Sequence, residues 1–267
     1  MGEKNENTGF GRGYTGPDRG RMEAVGLLGG GLAHDMNNLL GVIEGFASLA
    51  LHSLKDGAPA SADIKEIRRA VSRAAALARQ MMVLSGRRAM RKERCRSGEM
   101  VDQVANAARG LTGAGIAIEL ALQSGLPDII ADPAALEPAL INLLLNARDA
   151  MPGGGVISVS ACAQRLERFA VKSPVPAEAG AYFVKISVSD TGSGMAPEVL
   201  AHAFEPYFTT KERGRGLGLS TVYGVAKQHN GWVEAQSAPG NGSEFVVFLP
   251  ACPAGHNEMQ LSTPKPR

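Results

Sequence analysis

Two apolar stripes in the first third of the chain constrain its fold most. Val25, Leu28, Leu32, Met36, Leu39, Ile43 and Phe46 step by three and four, the spacing of one face of an α-helix. Ile64, Ile67, Val71, Ala74, Ala78 and Met81 repeat the pattern, with Leu77 and Leu84 beside them. Between the stripes, Lys55-Asp56-Gly57-Ala58-Pro59 reads as a turn. Ser61 or Asp63 can cap the second helix. Two long helices joined by a short turn make an antiparallel hairpin. Each stripe is too broad for one partner helix to cover. The pattern therefore predicts an all-α hairpin that pairs with a second copy into a dimeric four-helix bundle. Cover by a second domain is the other solution.

From Gly98 the pattern mixes helix and strand, and 267 residues leave room for two domains. Met100 to Leu111 reads as a helix, and Ile116, Ile118, Leu120 and Leu122 alternate as in a half-buried strand. Asp132-Pro133 reads as a helix start, a capping carboxylate followed by proline at the first helical position. That helix is expected to run to Met151, stop at Pro152-Gly153-Gly154-Gly155, and bend at Pro138. Strands are expected at 156–161 and 182–189, a helix from Leu217 to His229, and last strands at 232–237 and 244–249. The division is then 1–20 disordered, 21–87 helical hairpin, 88–97 a solvated basic linker, 98–251 an α/β domain and 252–267 a disordered tail.

Bulk properties exclude several classes. A net charge of +2 gives no nucleic-acid surface. Three widely spaced cysteines (Cys95, Cys162 and Cys252) suit free thiols in a reducing compartment, not a disulfide frame or metal cluster. No apolar run reaches bilayer length, and the N-terminus has no signal-peptide core. A cytoplasmic location is the expectation.

Four stretches of the second half carry candidate chemistry. Asn142 and Asn146 stand four apart, on one face of the 132–151 helix. They are either surface amides or groups aimed into a polar cavity. Val184, Ile186, Val188 and Asp190 share parity, so Asp190 ends its strand on the buried side and needs a donor. Gly192 and Gly194 follow it, allowing a sharp turn or a close approach. Phe204-Glu205-Pro206-Tyr207-Phe208 leads to Lys211. Gly214-Arg215-Gly216-Leu217-Gly218 then opens a helix, offering N–H groups and dipole to a phosphate. It lacks the Gly-Lys-Ser/Thr of a P-loop and a Rossmann setting. In the first half, His34 lies two residues from Leu32 and from Met36, roughly 200° around the helix from each. It points away from the stripe. The preceding Gly29-Gly30-Gly31 either breaks that helix or lets it bend.

In this order the motifs resemble a sensor histidine kinase of two-component systems, over about residues 21–250. The resemblance places an H box at His34, an N box at 142–150, glycine boxes at 190–194 and 214–218, and an F box at 204–208. It implies that the second domain is an α/β sandwich of the GHKL (Bergerat) ATP-binding type. It also implies ATP and Mg²⁺ as cofactors. Asp190 would accept from the adenine amino group, Gly192 and Gly194 would hold the loop near the base, and Asn146 would ligate Mg²⁺. Lys211, Gly214, Gly216, Leu217 and Gly218 would meet phosphate, and Phe204 and Phe208 would anchor the lid. Asn142 stands where related ATPases carry a water-activating glutamate, and an amide cannot act as a general base at neutral pH. His34 would be the phosphoacceptor, Asp35 its proton acceptor, and Asn38 the residue that positions water for dephosphorylating a partner. Leu39 replaces a proline common in relatives.

The expected partners are a second copy of the chain, a response-regulator receiver domain and a separate sensor protein, with no nucleic acid and no membrane span. Two other functions compete with the kinase reading. One is a dimeric scaffold or partner phosphatase that binds ATP structurally. The other is a GHKL ATPase without a phosphohistidine.

Overall fold

The computed structural model describes residues 36, 38–54, 60–84, 90–165, 181–211 and 216–252. Residues 38–53 are helical (α1), and Ala60–Leu84 form α2. Arg68 Nε donates to Glu44 Oε1 at 2.6 Å, which sets α1 beside α2. Leu39, Val42, Ile43, Phe46 and Leu49 of α1 are each at least 46% exposed. They repeat at helical spacing, so among the described residues a continuous apolar stripe is left without cover. Val71 of α2 is buried, and α2 rests against the last helix of the second half.

The second half is built on a five-stranded sheet. Its strands are β2 (Ile116–Leu122), β4 (Gly155–Arg165), β5 (Tyr182–Asp190), β6 (Trp232–Ser237) and β7 (Ser243–Pro250), in the spatial order β2-β4-β5-β7-β6. The β2–β4 pair is parallel and the other three pairs are antiparallel. A parallel pair needs a crossover, and α4 (Pro133–Asp149) supplies it. Helices α3 (Ser97–Thr112), α4 and α6 (Gly218–Gln228) share one hydrophobic core with one face of the sheet. The strands supply alternate residues to that core, among them Ile157 and Val159, Val184, Ile186 and Val188, and Phe245, Val247 and Leu249. From α4 come Leu136, Leu140, Leu143 and Leu144, all essentially buried. Each such burial stabilises by roughly 1.5–3 kcal/mol. On the other face Trp232 stacks on Phe248, with ring centroids 4.4 Å apart, and meets Phe183 edge-on.

Three expectations need correction. The basic stretch 88–97 is not merely solvated linker. Glu93–Cys95 is a strand (β1) pairing antiparallel with β3 (Ile129–Ala131), and Met90 packs on the core. Backbone pairing and the aliphatic part of one residue outweigh the charge pattern there. Arg94 also pairs with Asp128 at 2.6 Å, and Lys92 Nζ donates to the Gln228 carbonyl at the end of α6. Second, the Asp132 carboxylate does not cap α4. Its Oδ2 accepts from the Arg91 N–H at 3.1 Å, so it ties down the incoming chain instead. Third, Cys252 is part of the fold, not of a tail. Its N–H donates to the Asp128 carbonyl at 2.7 Å, and Ala251 bridges to Ile129. The α4 helix runs unbroken through Pro138.

His229, just after α6, joins two helix ends. Its Nε2 accepts from the Asp132 N–H at 2.9 Å, and its Nδ1 lies 2.7 Å from the Val225 carbonyl. An N–H can only donate and a carbonyl can only accept, so the ring is neutral with its proton on Nδ1. Burial pushes the pKa of this histidine down, which suits that state. Among the described residues, no helix is long and apolar enough to cross a membrane.

Candidate functional site

A cavity of about 700 Å³ opens between α4, the end of β5, the start of α6 and the segment that leads to Lys211. That volume suits a small-molecule ligand. Asn142, Asn146, Asp190, Gly194, Lys211, Gly216, Leu217 and Gly218 all line it. Sequence spacing alone left Asn142 and Asn146 open between surface and cavity. The fold turns both inward, because the neighbouring Leu143 and Leu144 take the core side of α4. Gly192 stands behind the wall, not in it. Asn38 lies exposed on α1 and does not line the cavity. His34, Asp35 and Gly214 lie outside the described residues.

One wall is held by backbone. Asp190 is buried and its Oδ1 accepts from the Gly192 N–H at 2.8 Å. Burial pushes its carboxyl pKa up, against the pull of the Gly192 and Ser243 N–H groups. The loop after it is fastened on both sides: Ser193 N–H to the Ala150 carbonyl, and Gly240 N–H to the Ser193 carbonyl at 2.7 Å. Gly194 has φ 65°, and a Cβ there would stand 1.9 Å from the Ala238 carbonyl oxygen. Only glycine fits that approach.

The other wall is held by side chains. Lys211 Nζ donates to Asp149 Oδ2 at 2.8 Å and to Asn146 Oδ1 at 3.3 Å. Burial opposes ionisation of Asp149, but Lys211 and Arg148 outweigh it and hold its carboxyl below the ordinary range. The start of α6 faces the same amides: a Cβ on Gly218 would lie 3.4 Å from Asn146 Nδ2. No side chain caps α6, and first-turn N–H groups have no acceptor within their helix. They face a site that suits an anion. Tyr207 N–H donates to the Gly216 carbonyl at 2.8 Å, which holds Tyr207 beside Gly216. Phe204 is fully buried against Phe245 and Tyr223, while Phe208 is half-buried and lines the cavity beside His202. Asp149 and the short helix Pro197–His202 (α5) were not read from the sequence as part of the site. Asp149 was legible, since it follows Asn146 by three and Asn142 by seven.

A mixed sheet with its helices on one face and a polar cavity at the end of β5 defines an α/β sandwich with a GHKL-type ATPase pocket. Residues 131–253 match the family of histidine kinase-, DNA gyrase B-, and HSP90-like ATPases. The sensor kinase CckA of Brucella abortus is 37% identical over 86% of this chain and 24% of its own length. The sensor histidine kinase ZraS of Escherichia coli K12 is 33% identical over 86% of this chain and 46% of its own. The crystal structure of full-length ShkA in complex with AMPPNP superposes with a TM-score of 0.61 at 26% identity, over 82% of this chain and 44% of that one. Residues 131–253 thus carry a GHKL-type ATPase domain, and over 86% of its length the chain is similar to sensor histidine kinases. It spans about a quarter to a half of the length of these curated relatives.

Proposed function

We propose that the chain binds ATP in the α4–α6 cavity and transfers its γ-phosphoryl group to His34, then to an aspartate on a separate response regulator. The observation that carries this is the convergence of Asp190, Asn142, Asn146 and the Gly216–Gly218 turn on one cavity. In the proposed step one ring nitrogen of His34 attacks the γ-phosphorus. The bond to the β–γ bridging oxygen breaks, ADP leaves, and Asp35 takes the proton from the other ring nitrogen. Asp190 accepts from the adenine amino group, while the uncapped start of α6 and Lys211 receive phosphate oxygens. With an amide at 142, no side chain there activates water, which favours transfer to protein over hydrolysis.

Asn146 fits the metal the family uses. Its Oδ1 already takes an ammonium, shared with the Asp149 carboxylate, so hard oxygens surround a cation there. Bound Mg²⁺ supplies charge neutralisation between the phosphates during transfer. A homodimer is proposed from the exposed stripe Leu39, Val42, Ile43, Phe46 and Leu49; the pairing of two hairpins into a bundle would cover it. The phosphatase role of Asn38, the separate sensor, the cytoplasmic location and the division into a helical hairpin and an α/β domain, with the linker and tail limits corrected above, remain part of this reading.

The test is incubation with γ-labelled ATP and Mg²⁺. Acid-labile, base-stable label on the native chain and none on His34→Gln is the expected result. An unlabelled native chain overturns the kinase reading. Steady phosphate release from His34→Gln would point to an ATPase instead.

A further inference from the structure

Asp149 is the third polar residue on the cavity side of α4, after Asn142 and Asn146. It stands in the last turn, where the negative end of the helix dipole makes the surroundings anionic. Two cations answer it. Arg148 holds Oδ1 through Nε at 2.9 Å and a terminal nitrogen at 2.6 Å. Lys211 holds Oδ2 at 2.8 Å and reaches Asn146 Oδ1 at 3.3 Å.

We propose that Asp149 is a positioning residue: it parks Lys211 on the amide oxygen that the metal requires, so metal entry and release of Lys211 toward phosphate are one exchange. The proposal rests on the nucleotide and metal reading above. A divalent cation held by Asn146 Oδ1 would repel an ammonium from the same oxygen. Lys211 lines the same cavity, so once displaced it faces the phosphates. Its departure does not strand Asp149, because Arg148 stays on the other carboxylate oxygen. The pair is also partly exposed, with side-chain accessibilities of 42% and 35%. Solvent screening keeps such a pair weak, which suits a contact made to be broken.

The test is a double-mutant cycle on the full chain, read as affinity for a trinitrophenyl derivative of ATP in EDTA. The variants are Asp149→Asn, Lys211→Met and the two together. Asp149→Asn frees Lys211 and should tighten metal-free binding about two- to fivefold. Removing a negative charge near a triphosphate would itself help, but equally in both backgrounds. The exchange requires a gain at least about twofold larger with Lys211 present than in the Lys211→Met background. Equal gains, or no gain with Lys211 present, overturn it. Added Mg²⁺ should shrink the advantage of Asp149→Asn, and an undiminished advantage also counts against the exchange. Asp149→Ser replaces Asp149→Asn if that variant folds poorly. A native chain that binds no nucleotide sinks the site reading and this inference together. A native chain that binds, without coupling, sinks this inference alone.

Discussion

The two walls of the cavity are built differently. Asp190 sits on strand and loop backbone, with Gly192 and Ser243 N–H groups on its carboxylate and the 191–194 loop bonded on both sides. Lys211, Asn146 and Asp149 meet only through side chains, partly in solvent. Backbone contacts set by a sheet cannot shift without unzipping it. Side-chain ion pairs can exchange partners at little cost. The first wall suits recognition of a rigid group, and the second suits a group whose charge and metal change during a reaction.

The largest effect expected from that contrast is on binding. Asp190→Ala should weaken ATP binding by about 30- to 150-fold, from about 2–3 kcal/mol of lost charged hydrogen bonding, against about two- to fivefold for Lys211→Met. Isothermal titration of both variants checks this, and similar losses would erase the distinction between the walls. Stability should split the same way. Gly194→Ala places a side chain at φ 65° against the Ala238 carbonyl and should lower urea stability by about 2–3 kcal/mol. Lys211→Met should stay within about 0.5 kcal/mol of native in the same experiment.

The joint between the start of α4 and the end of α6 depends on His229. His229→Phe leaves the Asp132 N–H without its acceptor and should cost about 1–3 kcal/mol near neutrality. Its pKa is lowered in the fold, from the ordinary 6.5. The unfolded chain therefore takes up the proton first as pH falls. Native stability from this group is full above about 6.5 and is lost between there and the folded value. Urea midpoints against pH should slope through that window in the native chain and flatten in the variant.

The smallest effect is a difference in acid sensitivity between the walls. Asp190 accepts most strongly when ionised, since protonation turns one oxygen into a donor, and its pKa is raised. Adenine-dependent affinity should then fall as pH drops through a value above the ordinary 3.8. Asp149 is shifted the other way, so its pair with Lys211 should persist to lower pH. Affinities for adenosine and for ATP, compared across a pH series, sharpen or break this ordering.

What could be read from residues alone follows the same division. Apolar alternation announced β2, and parity along β5 put Asp190 on the buried side, because strand geometry is local. The amide pair on α4 was visible as spacing, but its direction depended on which side of the helix met the sheet. β1 and β3 are three residues each, too short for any periodicity. Their pairing joins positions about 36 apart in sequence, and the charges on Arg94 and Arg96 disguised it. Asp132 shows a local rule overridden: a residue type suited to capping was engaged by a distant backbone N–H instead.

The strand order has a consequence for synthesis. β7 is the last strand made, yet it lies between β5 and β6, and its first residue, Ser243, pairs with Asp190. Until residue 243 has emerged from the ribosome, β5 is a bare edge and Asp190 lacks one of its two backbone donors. A nascent chain thus carries nearly every cavity residue with no cavity to bind in. Premature termination anywhere before β7 yields an open sheet edge, not a weakened cavity.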